Sequence, residues 1–340
     1  MNLYLPEGWF DAHKVLKVSP YQFSKIIMVG GRAIGKSYGV LEELLLNHPE
    51  NIFYIRTKQK EIDLMVDPDL NPFQKININR GTTLTMKKKQ KEMSMVTRDP
   101  ESNTPIALVS ALSTISDVRG MNAEEYTTIF YDEFIPEKHV RKMRHQGTAV
   151  KHMYETLNRN RELEGKPPMR LIMCANSEDL SNDVLVEYGV IDDLIEMKEK
   201  GIELKDYPER SLRLVYPQFS PISKKKRETA QYKGEAGDYE RMALNNEFTH
   251  YYKGNIASLN LSDFDPKVKI GELCIYKSKN SRILYVTTYA KGKFVEYYNL
   301  TDFEIDQFKM RHRRLIEYYF KNKIKFETPS CEIKFQNLWS

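Results

Sequence analysis

The chain has 340 residues, of which 41% are hydrophobic and 29% charged, enough to bury a core and too apolar for a wholly disordered protein. No apolar run approaches the ~20 residues that span a bilayer as a helix, so no membrane partner is expected, and the opening MNLYLPEGWF lacks the pattern of a secretory signal. Lys and Arg number 52 against 47 Asp and Glu, and the whole excess falls in residues 246–340, with 16 basic and 11 acidic residues. That asymmetry fits either a solvated, lysine-biased surface or a polyanionic partner for one region. Cys174, Cys274 and Cys331 form no CxxC pair, which argues against a disulfide scaffold or a zinc module and fits a reducing cytoplasm.

In chain order, residues 24–29 (SKIIMV) predict a buried strand, 36–46 (KSYGVLEELLL) a helix and 51–56 (NIFYIR) a second strand. Residues 77–109 alternate in places around a lysine-rich middle and predict an antiparallel hairpin at the sheet edge. Lys87, Lys88 and Lys89 there serve either as edge protection or as nucleic-acid contacts. Residues 127–131 (TTIFY) and 170–175 (RLIMCA) are further buried strands. Strands of this kind joined by helical patterns imply an α/β fold with a parallel central sheet covered on both faces. Residues 1–200 are expected to form this domain. Residues 201–245, with ProGlu, SerPro and a basic run, are expected to be a linker or connecting subdomain. Residues 246–340 hold 9 of the 21 tyrosines and read as a small basic α+β domain.

Gly30, Gly31, Arg32, Ala33, Ile34, Gly35, Lys36 and Ser37 spell GGRAIGKS, which fits the phosphate-binding pattern G-x-x-x-x-G-K-[ST] between a strand and a helix. The loop's N–H groups and the helix start face the phosphates of ATP, Lys36 reaches the β- and γ-phosphates, and Ser37 supplies a hydroxyl to Mg²⁺. About 95 residues on, FYDEF closes an apolar strand with two acids. Asp132 is expected to hold Mg²⁺, and Glu133 to act as general base on the attacking water. Asn176, after RLIMCA, is either a γ-phosphate sensor or a turn residue. Arg159 and Arg161 lie two apart, so on a helix one can stay at the surface while the other reaches a neighbour. Arg32 sits inside the loop itself, beside the phosphates. Arg119, in DVRG before the second motif, is a candidate contact for DNA or nucleotide, and Lys58, Lys87 and Lys88 are candidate DNA contacts. Tyr21, Gln22 and Phe23 offer either base stacking or core packing.

Taken in order, GGRAIGKSYGV, FYIRTKQKE, TTIFYDEFIPEK, LNRNRE, MRLIMCANS and MALNNEF resemble the DNA-packaging ATPases of small phi29-type podophages. The resemblance covers residues 24–250 and weakens to general character beyond. It implies a RecA-like, additional-strand P-loop ATPase that uses ATP and Mg²⁺. It further implies a homopentameric ring at the portal of an empty procapsid in the host cytoplasm, driving double-stranded DNA inward. It makes Arg159 a finger acting in trans and Asn176 the sensor coupling hydrolysis to movement. The C-terminal domain then resembles a degenerate RNase H-like fold that contacts nucleic acid or the portal without cutting DNA. Use of a packaging RNA stays open. The alternatives are a full terminase with a nuclease built on Asp263, Asp265 and Asp302, or a nucleotide-binding protein that is not a motor.

Overall fold

The computed structural model describes residues 2–118, 123–137, 139–177, 179–234, 237–245 and 255–339. Two units emerge, and each is taken by itself.

Among the described residues, the first unit carries nine strands. They are β1 (Lys25–Gly30), β2 (Ile52–Arg56), β3 (Thr85–Gln90), β4 (Met93–Thr97), β5 (Ala107–Ala111), β6 (Thr128–Asp132), β7 (Arg170–Asn176), β8 (Leu204–Tyr207) and β9 (Leu212–Val215). They form one sheet in the order β3-β4-β5-β2-β6-β7-β1-β9-β8. From β5 to β9 every neighbouring pair is parallel, while β3–β4, β4–β5 and β8–β9 are antiparallel. The central strands are buried almost end to end, as unbroken apolar runs require when helices cover both faces. The surrounding helices include α1 (Ala12–Leu16), α2 (Lys36–Glu42), α3 (Gln59–Met65), α4 (Gln74–Arg80) and α5 (Gln146–Asn158). One arrangement positions the site: β7 lies between β1 and β6, so the phosphate-loop strand and the strand ending in Asp132 are not neighbours.

Two expectations change. Residues 77–80 are not a strand but the end of α4, which Gly81 closes in the left-handed region at φ +64°. The Asn77 side chain helps to fix this exit, donating to the Leu84 carbonyl at 2.9 Å and accepting from its N–H at 2.9 Å. The hairpin proper is β3–β4, and Lys88 and Lys89 are exposed on the outermost strand. Residues 201–245 are not a separate connector either, because they supply β8 and β9. β9 is wholly buried and pairs in parallel with β1, from Lys25↔Leu212 to Met28↔Val215.

The second unit joins Leu180–Ile195 to residues 255–339, so the segment 180–195 lies outside the unit to which the sequence reading assigned it. Its strands are β10 (Phe264–Ile270), β11 (Leu273–Ser278), β12 (Leu284–Thr287), β13 (Glu296–Tyr298) and β14 (Ile324–Phe326), in the order β13-β10-β11-β12-β14. β10, β11 and β12 run antiparallel, and β13 and β14 join the two edges in parallel. The core contains Ile275, Val286, Phe308, Phe326 and Phe335. Asp192 Oδ1 accepts the Ser330 N–H at 2.9 Å, which ties the early segment to the helix Pro329–Asn337. Among the described residues, no helix is long and apolar enough to cross a membrane.

Candidate active site

β1 ends at Gly30, where a Cβ would come within 2.7 Å of Pro217 Cγ, so only glycine passes under that ring. The chain then turns, with Ala33 at φ +51° and Gly35 at φ +96°, before α2 begins at Lys36. Ile34 contributes backbone alone. Its side chain is buried in the core and its carbonyl accepts the Phe10 N–H at 2.9 Å. Arg32 lines the cavity over the loop and pairs with Glu137, and its carbonyl accepts a hydrogen bond from Lys226 at 3.0 Å.

Lys36 is buried. Its Nζ donates to the Gly31 carbonyl at 2.6 Å, the Gly30 carbonyl at 3.2 Å and Asn176 Oδ1 at 3.3 Å. Burial pulls this ammonium down to about 8, with Asp132 and Glu133 opposing the shift. Asn176 arrives through sheet register: it ends β7 opposite Gly30 of β1. The predicted sensor and the predicted phosphate lysine therefore touch.

One residue further, Ser37 Oγ donates to Asp132 Oδ1 at 2.7 Å. Asp132 Oδ2 accepts from the Tyr54 hydroxyl at 3.2 Å and from Arg56 Nη1 at 3.4 Å. Burial pushes the Asp132 carboxyl up, and Arg56 works against that shift. Glu133, just past β6, sits at φ +52°, a left-handed conformation that a non-glycine residue holds at some cost. Its N–H donates to Asp132 Oδ1 at 3.1 Å, and its carboxylate turns outward to pair with Arg56 Nη2. Arg56 also donates through Nε to Glu61 at 3.3 Å. Burial opposes the Arg56 charge, but the facing acids outweigh it and raise the pKa of the guanidinium.

A cavity of about 790 Å³ opens over this constellation, lined in part by Trp9, Ala33, Lys36, Ser37, Glu133 and Asn176. Trp9 was not foreseen; its ring lies 3.5 Å from where a Cβ on Gly35 would stand. Neither Tyr21 nor Phe23 lines the cavity. Phe23 is core, with the Arg213 guanidinium 5.0 Å from its ring, and Tyr21 is exposed. Arg56 and Tyr54 were missed as well. The available signal was an arginine closing the strand IFYIR, which becomes informative once β2 is known to lie beside β6.

The two arginines follow α5 rather than lying on it, so helical spacing does not set their directions. Arg161 is buried and donates to the carbonyls of Pro167 at 3.0 Å, Glu124 at 3.1 Å and Tyr126 at 3.2 Å. Arg159 caps the helix at φ +48° and is exposed. Among the candidate DNA contacts, Lys58 is the N-cap of α3, Lys88 pairs with Asp63 on that helix, and Lys87 donates to the Ser102 carbonyl. Arg119 lies outside the described residues.

No protein-family model and no curated protein sequence matches the chain. Solved structures do. The bacteriophage Phi-29 viral genome packaging motor assembly is similar with a TM-score of 0.65 and 17% identity, over 98% of this chain and 98% of that one. The Phi-28 gp11 DNA packaging motor is similar with a TM-score of 0.61 and 15% identity, over 97% and 96%. At such identities the likeness is one of fold, a mixed α/β architecture with a large, mostly parallel sheet. These structural neighbours are of the kind to which the sequence motifs pointed.

Proposed function

We propose that the chain is the ATP-hydrolysing subunit of a phage genome-packaging motor. It is an additional-strand P-loop ATPase that works as a homo-oligomeric ring, a pentamer by the resemblance, on the portal of a procapsid in the host cytoplasm. There it drives double-stranded DNA inward. One observation carries the reading: Asn176 to Lys36 and Ser37 to Asp132 are joined by direct hydrogen bonds, with Glu133 beside them on the wall of one cavity. The strand between β1 and β6 supports the additional-strand assignment.

The donor set fits Mg²⁺: a serine hydroxyl and a carboxylate oxygen 2.7 Å apart are hard oxygen ligands that leave the remaining positions to phosphates and water. Bound there with ATP, the ion would neutralise charge on the β- and γ-phosphate oxygens. The protein groups do the rest. Lys36 exchanges backbone carbonyls for a phosphate oxygen and so gains a stronger, charge-assisted partner. Glu133 takes the proton of the attacking water, which requires it to leave Arg56. Asn176, bonded to Lys36, is placed to register the γ-phosphate. Arg159, exposed at the end of α5, serves a neighbouring subunit as the finger. The basic excess of residues 246–340 supports portal or nucleic-acid docking by the second unit, and Lys58, Lys87, Lys88 and Arg119 are further DNA-contact candidates.

ATP turnover with and without double-stranded DNA, measured alongside particle mass, tests the reading. DNA-stimulated hydrolysis by a ring is expected. A monomer that binds ATP but turns it over with no response to DNA overturns the motor assignment.

A further inference from the structure

A second polar cluster stands at the far end of the helix that follows the loop, where His13 and Glu43 also line the cavity described above. The helix that begins at Lys36 does not stop at Glu42 but continues as a π-helical turn, Glu43–Asn47, closed by the His48 N–H on the Glu43 carbonyl at 2.8 Å. In this wider turn residue i+5 returns over residue i, so His48 comes back above Glu43. Single π turns of this kind are enriched at functional sites. From the opposite side, α1 delivers His13.

Both rings converge on one oxygen. His13 Nδ1 and His48 Nδ1 each lie 2.7 Å from Glu43 Oε1. The rings stack with centroids 5.1 Å apart and an interplanar angle of 22°. The other carboxylate oxygen, Oε2, accepts from Asn47 Nδ2 at 3.1 Å, which fixes the carboxylate plane and leaves Oε1 facing the two imidazoles. Glu43 is buried, and its carboxyl is held below the usual range: burial works against this, but the hydrogen bonds from His13, Asn47 and His48 prevail. The His48 side chain is 65% exposed, so the cluster is open on one side, beside a second cavity lined by His13, Glu43, His48, Glu50 and Arg170.

We propose that His13, Glu43 and His48 form a binding site for a zinc-class divalent cation. The three donor atoms lie within 4.8 Å of one another, and the two imidazole nitrogens bracket one carboxylate oxygen, so small side-chain rotations bring all three to ~2.0–2.2 Å from a single ion. Two imidazole nitrogens and one carboxylate oxygen, with a position open to water, select Zn²⁺ or Co²⁺ over Mg²⁺ and Ca²⁺, which take oxygen ligands. The cation takes the place of the protons between each Nδ1 and the carboxylate: in a neutral imidazole that proton moves to Nε2, and an imidazolium releases its Nδ1 proton to water, so both rings bind through Nδ1 as neutral ligands. The bound ion ties α1 to the far end of the phosphate-loop helix. This assignment does not depend on the proposed motor function.

The test uses the full chain, stripped with a chelator and free of nucleotide. Zn²⁺ is titrated against a competing chromophoric chelator, and Co²⁺ is followed by its visible absorption. One equivalent of Zn²⁺ is expected with sub-micromolar affinity, together with an intense tetrahedral Co²⁺ spectrum. His48→Asn is expected to weaken Zn²⁺ at least tenfold and to abolish the Co²⁺ bands while circular dichroism stays unchanged. Millimolar Mg²⁺ should not compete. If the native chain shows no Co²⁺ bands, or if His13→Asn/His48→Asn binds Zn²⁺ as tightly as the native chain, the cluster is a hydrogen-bonded brace and the proposal fails. The native Co²⁺ spectrum decides the matter even if a variant does not fold.

Discussion

Arg56 and Glu133 form an ion pair beside the candidate site, the guanidinium closing β2 and the carboxylate standing just past β6. The same guanidinium reaches Asp132 at 3.4 Å, so one cation holds together two adjacent carboxylates that would otherwise repel. Removing it leaves Asp132 buried without its cation. Arg56→Ala is therefore expected to lower stability by about 3 kcal/mol, read from urea unfolding, with Arg56→Lys recovering part of the loss. Native-like unfolding of the alanine variant would mean that the pair contributes little.

Glu133→Gln keeps the shape and the hydrogen-bonding capacity of the side chain but removes the base. Turnover is expected to fall by roughly 10²–10⁴-fold, while ATP affinity stays within a few-fold. Single-turnover kinetics and an ATP titration check this. A variant that hydrolyses ATP at the native rate removes Glu133 from the general-base role.

Lys36 titrates in an accessible range. Burial lowers it from the ordinary 10.5 to about 8, so between those values the unfolded chain holds a proton that the native protein lacks. The contribution of this group to stability therefore rises with pH across that window. A triphosphate has the opposite requirement, because it needs the charged ammonium. ATP affinity is expected to fall as pH rises above about 8, by up to tenfold per pH unit, and Lys36→Met should flatten the profile. The same slope in the variant would show that another group is responsible.

The arginines after α5 should separate cleanly by phenotype. Arg161→Ala strands three backbone carbonyls and is expected to cost about 2–4 kcal/mol in stability. Arg159→Ala should abolish hydrolysis by assembled rings. Lys36→Ala subunits, inactive themselves but still carrying Arg159, should partly restore it when mixed in. The absence of rescue would count against a role in trans.

The strand–turn–helix from β1 into α2 was legible because its pattern is local. A buried strand, glycines where the backbone must turn, and a lysine and serine opening a helix lie within a dozen or so consecutive residues, and no distant partner is needed to recognise them. The Asp132–Glu133 pair was legible for a similar reason, since an apolar strand that closes in two acids is a local pattern. Short segments misled wherever local pattern and context disagreed. ININR alternates like a strand yet ends a helix that Gly81 closes, and the four-residue strands β8 and β9 are hidden among prolines and basic residues.

What the sequence by itself determined is a set of candidate groups: a lysine and a hydroxyl opening a helix after a glycine-rich turn, and two acids closing an apolar strand. Only the tertiary structure decided which of them meet. Parallel pairing of β7 with β1 sets Asn176 opposite Gly30 and within reach of Lys36. Parallel pairing of β2 with β6 brings Arg56, 76 residues away in the chain, to Asp132. A π turn folds His48 back onto Glu43, where α1 supplies His13. The physical reason is the same in each case. These contacts depend on strand order, register and helical pitch, which arise from burying the apolar faces of segments far apart in sequence, so no local pattern in the chain encodes them.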